Sequence, residues 1–311
     1  MNHILKDRPE LIHVPVMAAQ VVDALAPRDG CRYLDGTTGL GGHDQAILET
    51  APGCLLCGLD RDGQALELAR QRLAPFEGRF YLFQSRFGDF PEALENLGWE
   101  RVDGALLDLG LSSLQLDVAA RGFSFRSEGP LDMRMNQQSG EKKAWELVNR
   151  APHAQLRDIF ATLGEEPQAA RIARHIIEAR QKGNIDTTSR LAEIVWGAYP
   201  PAWRRSARRH PATRVFQALR MAVNDELGQL RQFLAQIWDW LAPGARLAII
   251  SFHSLEDRMV KLAMRQWAKR EDAQGAGRLL HKKPIMPDDA EIARNPRSGS
   301  AKLRVIEKLE S

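Results

Sequence analysis

Asp35-Gly36-Thr37-Thr38-Gly39-Leu40-Gly41-Gly42-His43 lies directly after Cys31-Arg32-Tyr33-Leu34 and directly before Asp44-Gln45-Ala46-Ile47-Leu48-Glu49. The first flank reads as the end of a buried strand and the second as the start of a helix, so the stretch between them is a glycine-rich strand-to-helix turn opened by an acid. Glycines at 36, 39, 41 and 42 let the backbone take positive φ and approach a ligand with no Cβ in the way. An ordinary glycine-rich turn has the same local look, so the rest of the chain has to decide.

Leu55-Leu56-Cys57-Gly58-Leu59-Asp60 is a second apolar run ending in an acid, 25 residues after Asp35. Val102-Asp103-Gly104-Ala105-Leu106-Leu107-Asp108-Leu109-Gly110 is a third. In an open, doubly wound α/β sheet, ligands bind at the carboxyl ends of the strands, where all three acids fall, and the second acid can accept hydrogen bonds from ribose hydroxyls. The first strand's acid also bears on the kind of nucleoside. A dinucleotide fold brings a helix N-terminus onto a pyrophosphate, which the Asp35 carboxylate would repel; the ammonium and sulfonium of S-adenosylmethionine suit it. NAD, and with it a nicotinamide-dependent oxidoreductase, is the runner-up, since the glycine spacing departs from the dinucleotide fingerprint. No Gly-Lys-Ser/Thr follows the loop, which disfavours a Walker-type ATP site.

With 311 residues, 44% of them hydrophobic, the chain can bury a large core and has length for two domains. The absence of an apolar run near about 18 residues and the polar Met1 to Glu10 point to a cytoplasmic enzyme. Cys31, Cys54 and Cys57 are too few for a secreted disulfide framework. Cys54 and Cys57 form one C-x-x-C with no second pair, and Cys57 lies inside the second strand, so no metal site is expected.

The next strand after Asp108, Arg246-Leu247-Ala248-Ile249-Ile250-Ser251, starts 138 residues later, whereas a parallel neighbour normally follows within one helix. Between them, 154–162, 168–181, 189–197 and 214–241 carry apolar residues at helical spacing. The expected organisation is a discontinuous α/β domain, 1–115 and 213–311, with an inserted all-helical domain at 116–212, and with 214–241 returning to the sheet. From Leu116 to Arg214 there are 17 Lys/Arg against 11 Asp/Glu, an excess of +6 in a chain whose net charge is +3. Arg204, Arg205, Arg208 and Arg209, beside Trp203, form the densest cluster; such a patch either neutralises phosphates or is a solvated helix end. Arg278 to Pro287 and Ser300 to Lys308 read as a closing antiparallel pair.

These residues resemble a known family. His13-Val14-Pro15-Val16, the Asp35 to His43 loop, Leu59-Asp60-Arg61-Asp62, and Leu106 to Gly110 with Ser112-Ser113 and Gln115-Leu116-Asp117 are similar to the RsmH (MraW) family. So are Arg121-Gly122-Phe123-Ser124-Phe125, Gly129-Pro130-Leu131-Asp132-Met133-Arg134-Met135, His210-Pro211-Ala212-Thr213-Arg214 and Ile250-Ser251-Phe252-His253-Ser254-Leu255-Glu256-Asp257-Arg258. The likeness spans nearly the whole chain; Thr38-Gly39-Leu40 and Leu114 fill slots where relatives often carry other residues. It implies a class I, Rossmann-like methyltransferase sheet with an inserted helical domain. It also implies methylation of N4 of a cytidine in the decoding centre of bacterial small-subunit ribosomal RNA, on free RNA or on the assembled subunit, with S-adenosylmethionine. By position it implies cofactor contacts from Gly41, Gly42, His43, Asp60, Phe87, Asp108 and Gln115. Oligomeric state stays open, a homodimer included.

The amino nitrogen of cytosine is a poor nucleophile because its lone pair is delocalised into the ring. It needs positioning and a hydrogen-bond acceptor, and Asp108 with the carbonyls of Leu109 and Gly110 is the natural candidate; equally, Asp108 can serve the cofactor. His253, after the fifth strand, either faces the target base or is structural. Phe123 and Phe125 either stack a base drawn out of its neighbours or anchor the start of the insert as core aromatics.

Overall fold

The computed structural model describes residues 15–206, 210–270 and 276–310. The chain divides into two compact units, Met1–Gly110 with Leu227–Ser311, and Leu111–Glu226.

The first unit is built on a seven-stranded sheet of β1 (Arg32–Asp35), β2 (Leu55–Asp60), β3 (Phe80–Gln84), β4 (Val102–Asp108), β5 (Leu241–Ser251), β6 (Gly277–Leu279) and β7 (Lys302–Lys308), in the order β3-β2-β1-β4-β5-β7-β6. The strands from β1 to β5 pair in parallel, while β7 is antiparallel to both β5 and β6. This is the α/β class expected of a Rossmann-like methyltransferase. Successive strand residues point to opposite faces, and the unit has a core on each. Leu34, Cys57, Leu59, Ala105 and Leu107 pack with Leu94, Phe233, Trp238 and Trp267 of the helices Phe90–Asn96, Glu226–Trp240 and Ser254–Trp267. Tyr33, Leu56, Leu106 and Ile250 pack with Val21, Ile47 and Leu48 of the helices Ala18–Leu25 and Gly42–Thr50. Because both faces are covered, the central runs 55–59, 104–107 and 247–250 read as continuous apolar stretches.

The closing pair is shorter than the sequence suggests. Only Gly277–Leu279 is strand against β7; Ile285 returns to bridge Leu303, and Asp289–Arg294 is helical. Pro284 and Pro287 flank Ile285 and have no N–H to donate, which limits the pairing to that single bridge.

The second unit is helical: Ser113–Asp117, Ala144–Arg150, His153–Thr162, Ala169–Arg180, Thr188–Gly197, Pro201–Ser206 and Ala212–Asn224. Its core is formed by Val148, Leu156, Phe160, Ile172, Ile176, Leu191, Val195, Val215 and Leu219, all fully buried.

The compact units divide at 110/111 and 226/227, where the sequence reading places the domains at 115/116 and 212/213. The apolar pattern at 214–241 is two helices, because Asp225 sits in the left-handed region at φ 50° and ends the first. Val215, Phe216 and Leu219 of the first helix lie in the second unit's core, whereas Leu230, Phe233 and Ile237 of the next lie against the sheet. A hydrophobic period cannot distinguish one helix from two that change partners.

Candidate active site

Strand order places β2, β1 and β4 side by side, so Asp60, Asp35 and Asp108 end three neighbouring strands at one edge. The loop after Asp35 is pinned to all three. Thr38 N donates to Leu59 O at 2.9 Å, and Gly39 N to Asp60 Oδ2 at 2.8 Å. Thr37 N donates to Asp35 Oδ1 at 2.7 Å, and Asp108 N donates to Thr37 Oγ1 at 2.6 Å. Gly41 then enters the helix Gly42–Thr50 at φ 75°, with Ala69 Cβ only 3.2 Å from where a Cβ would be. A side chain there is excluded by conformation and by space. Gly58 is required for a different reason: a Cβ would meet Thr38 Oγ1 at 2.4 Å, so β2 must be bare where the loop folds onto it.

Asp60 is held at both oxygens, Oδ1 by Asp62 N and Oδ2 by Gly39 N, each at 2.8 Å. Burial of its carboxylate outweighs these donors and pushes its pKa from 3.8 up to about 6. Asp62 caps the helix Gly63–Leu73 by accepting from Gln64 N. Asp108 is held at one oxygen only: Oδ1 accepts from Gly110 N at 3.0 Å, while Oδ2 faces His43 Nε2 at 3.4 Å. Phe87 reaches the same loop, since a Cβ on Gly36 would lie 3.0 Å from Phe87 Cβ; its ring packs edge-on against Phe233 at 6.1 Å. Thus Gly41, Gly42, His43, Asp60, Phe87 and Asp108 of the expected set all lie in or against the loop at these strand tips.

His253 belongs to the same unit but has a structural task. It is the N-cap of Ser254–Trp267, with Nδ1 accepting from Glu256 N and Nε2 2.9 Å from Glu256 Oε1. The remaining candidates fall in the second unit. Gln115 is buried, and its Oε1 accepts from Ser112 N in a capping box. Phe123, 7% exposed, sits in that unit's core. Phe125 is half-buried, 5.0 Å from the His210 ring and 5.1 Å from Phe216. Arg204 is half-buried and Arg205 exposed on the short helix Pro201–Ser206; Arg208 and Arg209 lie outside the described residues, as do His13 and Val14. Cys31, Cys54 and Cys57 are free thiols, and burial raises the Cys57 pKa to about 12.

Sequence reasoning missed Asp44. An acid in the first turn of a helix reads as a partner for the helix dipole. Here it is fully buried beside Asp35 and Thr38, and neither of its oxygens has a hydrogen-bond partner among the described residues. Burial raises both pKa values, and the charge of Asp35 adds to the rise at Asp44, which stands well above the ordinary range.

An acid-lined, glycine-rich loop at the carboxyl edge of this sheet is suited to a nucleoside cofactor, and comparison with known proteins gives the family. Residues 10–309 match the MraW methylase family. The chain belongs to that family. Among its relatives is the ribosomal RNA small subunit methyltransferase H of Desulfovibrio desulfuricans, 60% identical over 96% of this chain and 94% of its own. The proteins of the same name from Nitratidesulfovibrio vulgaris and Lawsonia intracellularis are 57% and 49% identical, covering 96% of this chain and 95% and 99% of theirs. Membership of a methylase family removes the nicotinamide oxidoreductase reading. No helix among the described residues is long and apolar enough to cross a membrane.

Proposed function

We propose that this protein transfers a methyl group from S-adenosylmethionine to N4 of a cytidine in the decoding centre of small-subunit ribosomal RNA. The protein is a small-subunit ribosomal RNA methyltransferase, and the observation that carries this is family membership across residues 10–309, with relatives up to 60% identical that bear that name. The strand-tip residues fit the cofactor. Each Asp60 oxygen accepts one backbone N–H, which leaves lone pairs for ribose hydroxyls. The acids at the three tips favour a ligand that carries ammonium and sulfonium charge. Bound there, the cofactor supplies an electrophilic methyl.

The chain's own part is to bind, orient and accept a proton. Asp60 and the loop backbone hold the nucleoside, and Phe87 supplies an apolar wall for the adenine. Asp108 Oδ2, the oxygen that no backbone donor occupies, accepts an N–H of the cytosine amine. That bond favours a more tetrahedral nitrogen, aligns its lone pair, and draws off positive charge as the new N–C bond forms. The proton then leaves to Asp108 or to water. The insert, with its excess of positive charge, docks the RNA through Arg204, Arg205, Arg208 and Arg209.

Mass spectrometry of small-subunit RNA from cells with and without this protein tests the proposal. Loss of a single N4-methyl mark on cytidine supports it; loss of a mark on another base assigns a different acceptor. Neutralising the four arginines together is expected to flatten the salt dependence of RNA binding and spare cofactor affinity. An unchanged slope moves the RNA path elsewhere.

A further inference from the structure

We propose that Thr37 is a positioning residue for methyl transfer: its hydroxyl, aimed by Asp35, takes the peptide N–H of Asp108 and so sets where the Asp108 carboxylate stands. This rests on the reading of Asp108 as the acceptor of the amine.

The sheet itself does not hold that N–H. Pairing between β1 and β4 ends at Asp35 and Leu106, two residues short of Asp108, with Gly36 N donating to Leu106 O at 3.0 Å as the last backbone link. Beyond it, β1 turns away into the loop. The partner that the ladder no longer offers is supplied by Thr37 Oγ1, 2.6 Å from Asp108 N. A hydroxyl has one proton and two lone pairs, whereas a peptide N–H can only donate. The Thr37 proton is therefore committed to its other neighbour, Asp35 Oδ1 at 3.1 Å, which also accepts Thr37 N at 2.7 Å. This direction holds only if Asp35 is an acceptor. The geometry shows that it is: Oδ1 already accepts the Thr37 peptide N–H, a group that can only donate. Donation therefore runs from Asp108 N to the Thr37 hydroxyl and from that hydroxyl to Asp35 Oδ1, where it ends.

Its consequence falls on the free end. Asp108 carries one backbone donor on Oδ1, from Gly110, and the backbone of Gly110 is itself close, since a Cβ there would lie 3.0 Å from Oδ1. With the Asp108 peptide fixed at one side by Thr37 and at the other by pairing of Asp108 with Ile250 of β5, Oδ2 has one place to be. Loss of the hydroxyl frees the peptide to shift, and a displacement of about 1 Å is enough to cost up to a hundredfold in rate.

Thr37→Val keeps the branched shape and removes the hydroxyl; Thr37→Ser keeps the hydroxyl. In the ligand-free protein, amide hydrogen exchange at Asp108 is expected to quicken in Thr37→Val and to stay slow in Thr37→Ser, with Leu107 protected in both. The single-turnover methylation rate at saturating S-adenosylmethionine is expected to fall about tenfold to a hundredfold in Thr37→Val. It should recover in Thr37→Ser, with cofactor affinity by calorimetry within about threefold of the wild type in both. Thr37→Ala carries the same expectation should the valine variant not fold. Unchanged exchange at Asp108 overturns the proposal whatever the rate does, and so does a full rate in Thr37→Val when Asp108→Asn is slow. A full rate in Asp108→Asn overturns the reading of Asp108 instead, and is seen without any Thr37 variant.

Discussion

The tips of β2 and β4 end in the same residue type at the same sheet edge and are built for different work. At β2 the backbone takes both oxygens of Asp60, one through Asp62 N and one through Gly39 N, so the carboxylate fastens the glycine loop to the start of the next helix. At β4 the backbone takes one oxygen of Asp108 through Gly110 N, and the other faces an imidazole at 3.4 Å. A carboxylate with a fixed donor on each oxygen keeps lone pairs to hold a ligand but is poorly placed to take up a proton, which would compete with those donors. One with an uncommitted oxygen can exchange partners during a reaction. The difference is what the proposed roles, Asp60 as the binding acid and Asp108 as the reacting one, rest on.

The largest effect that would sharpen this contrast belongs to Asp108→Asn, which keeps the size and removes the charge. The single-turnover rate on ribosomal subunits at saturating S-adenosylmethionine is expected to drop by about two orders of magnitude or more, with a much smaller change in cofactor affinity. A near-normal rate with weakened cofactor binding would make Asp108 a second Asp60. The mirror-image variant, Asp60→Ala, is expected to weaken S-adenosylmethionine by ~1.5–3 kcal/mol, measured by calorimetry, and to leave the saturated rate close to normal. Unchanged affinity would break the comparison from the other side.

A smaller, graded effect follows from protonation. Because Asp60 is raised from 3.8 to about 6, cofactor affinity should strengthen as pH climbs through about 6 and the carboxylate ionises, by up to about tenfold per unit below that point. Folding stability moves the opposite way. A carboxyl whose folded pKa lies above its unfolded value binds more protons when folded, so its contribution is present at low pH and is lost as pH rises from near 4 through 6. Asp60→Ala should flatten the affinity profile in this window; a slope that survives assigns it to another group. The smallest effect is expected of Asp62→Ala, which removes a helix cap and should cost about 1 kcal/mol in denaturant unfolding. A large rate loss in that variant would show that the β2 tip also takes part in chemistry.

Much of the arrangement is written in short-range pattern. The strand–loop–helix at Asp35 to His43, the acids ending β1, β2 and β4, and the helical character of the insert follow from local apolar runs and glycine spacing, which backbone geometry forces on any chain. The family resemblance rests on the same contiguous motifs. Contacts between residues far apart in sequence are another matter. That 214–241 is two helices was decided by the left-handed turn at Asp225 and by which core each half enters. Phe123 was drawn into the helical core, and His253 was taken as a cap. Thr37 meets Asp108 N across 71 positions of the chain, and Asp44 meets Asp35 only because the loop between them folds back over the bare backbone of Gly58. Sequence by itself determined which elements form and which residue types stand at the strand tips, because propensity and hydrophobic period act over a few residues. Which oxygen of each acid is occupied was decided by the folded loops: Asp62 N and Gly110 N follow from local turns, but Gly39 N reaches the second oxygen of Asp60 only because the sheet sets β1 beside β2.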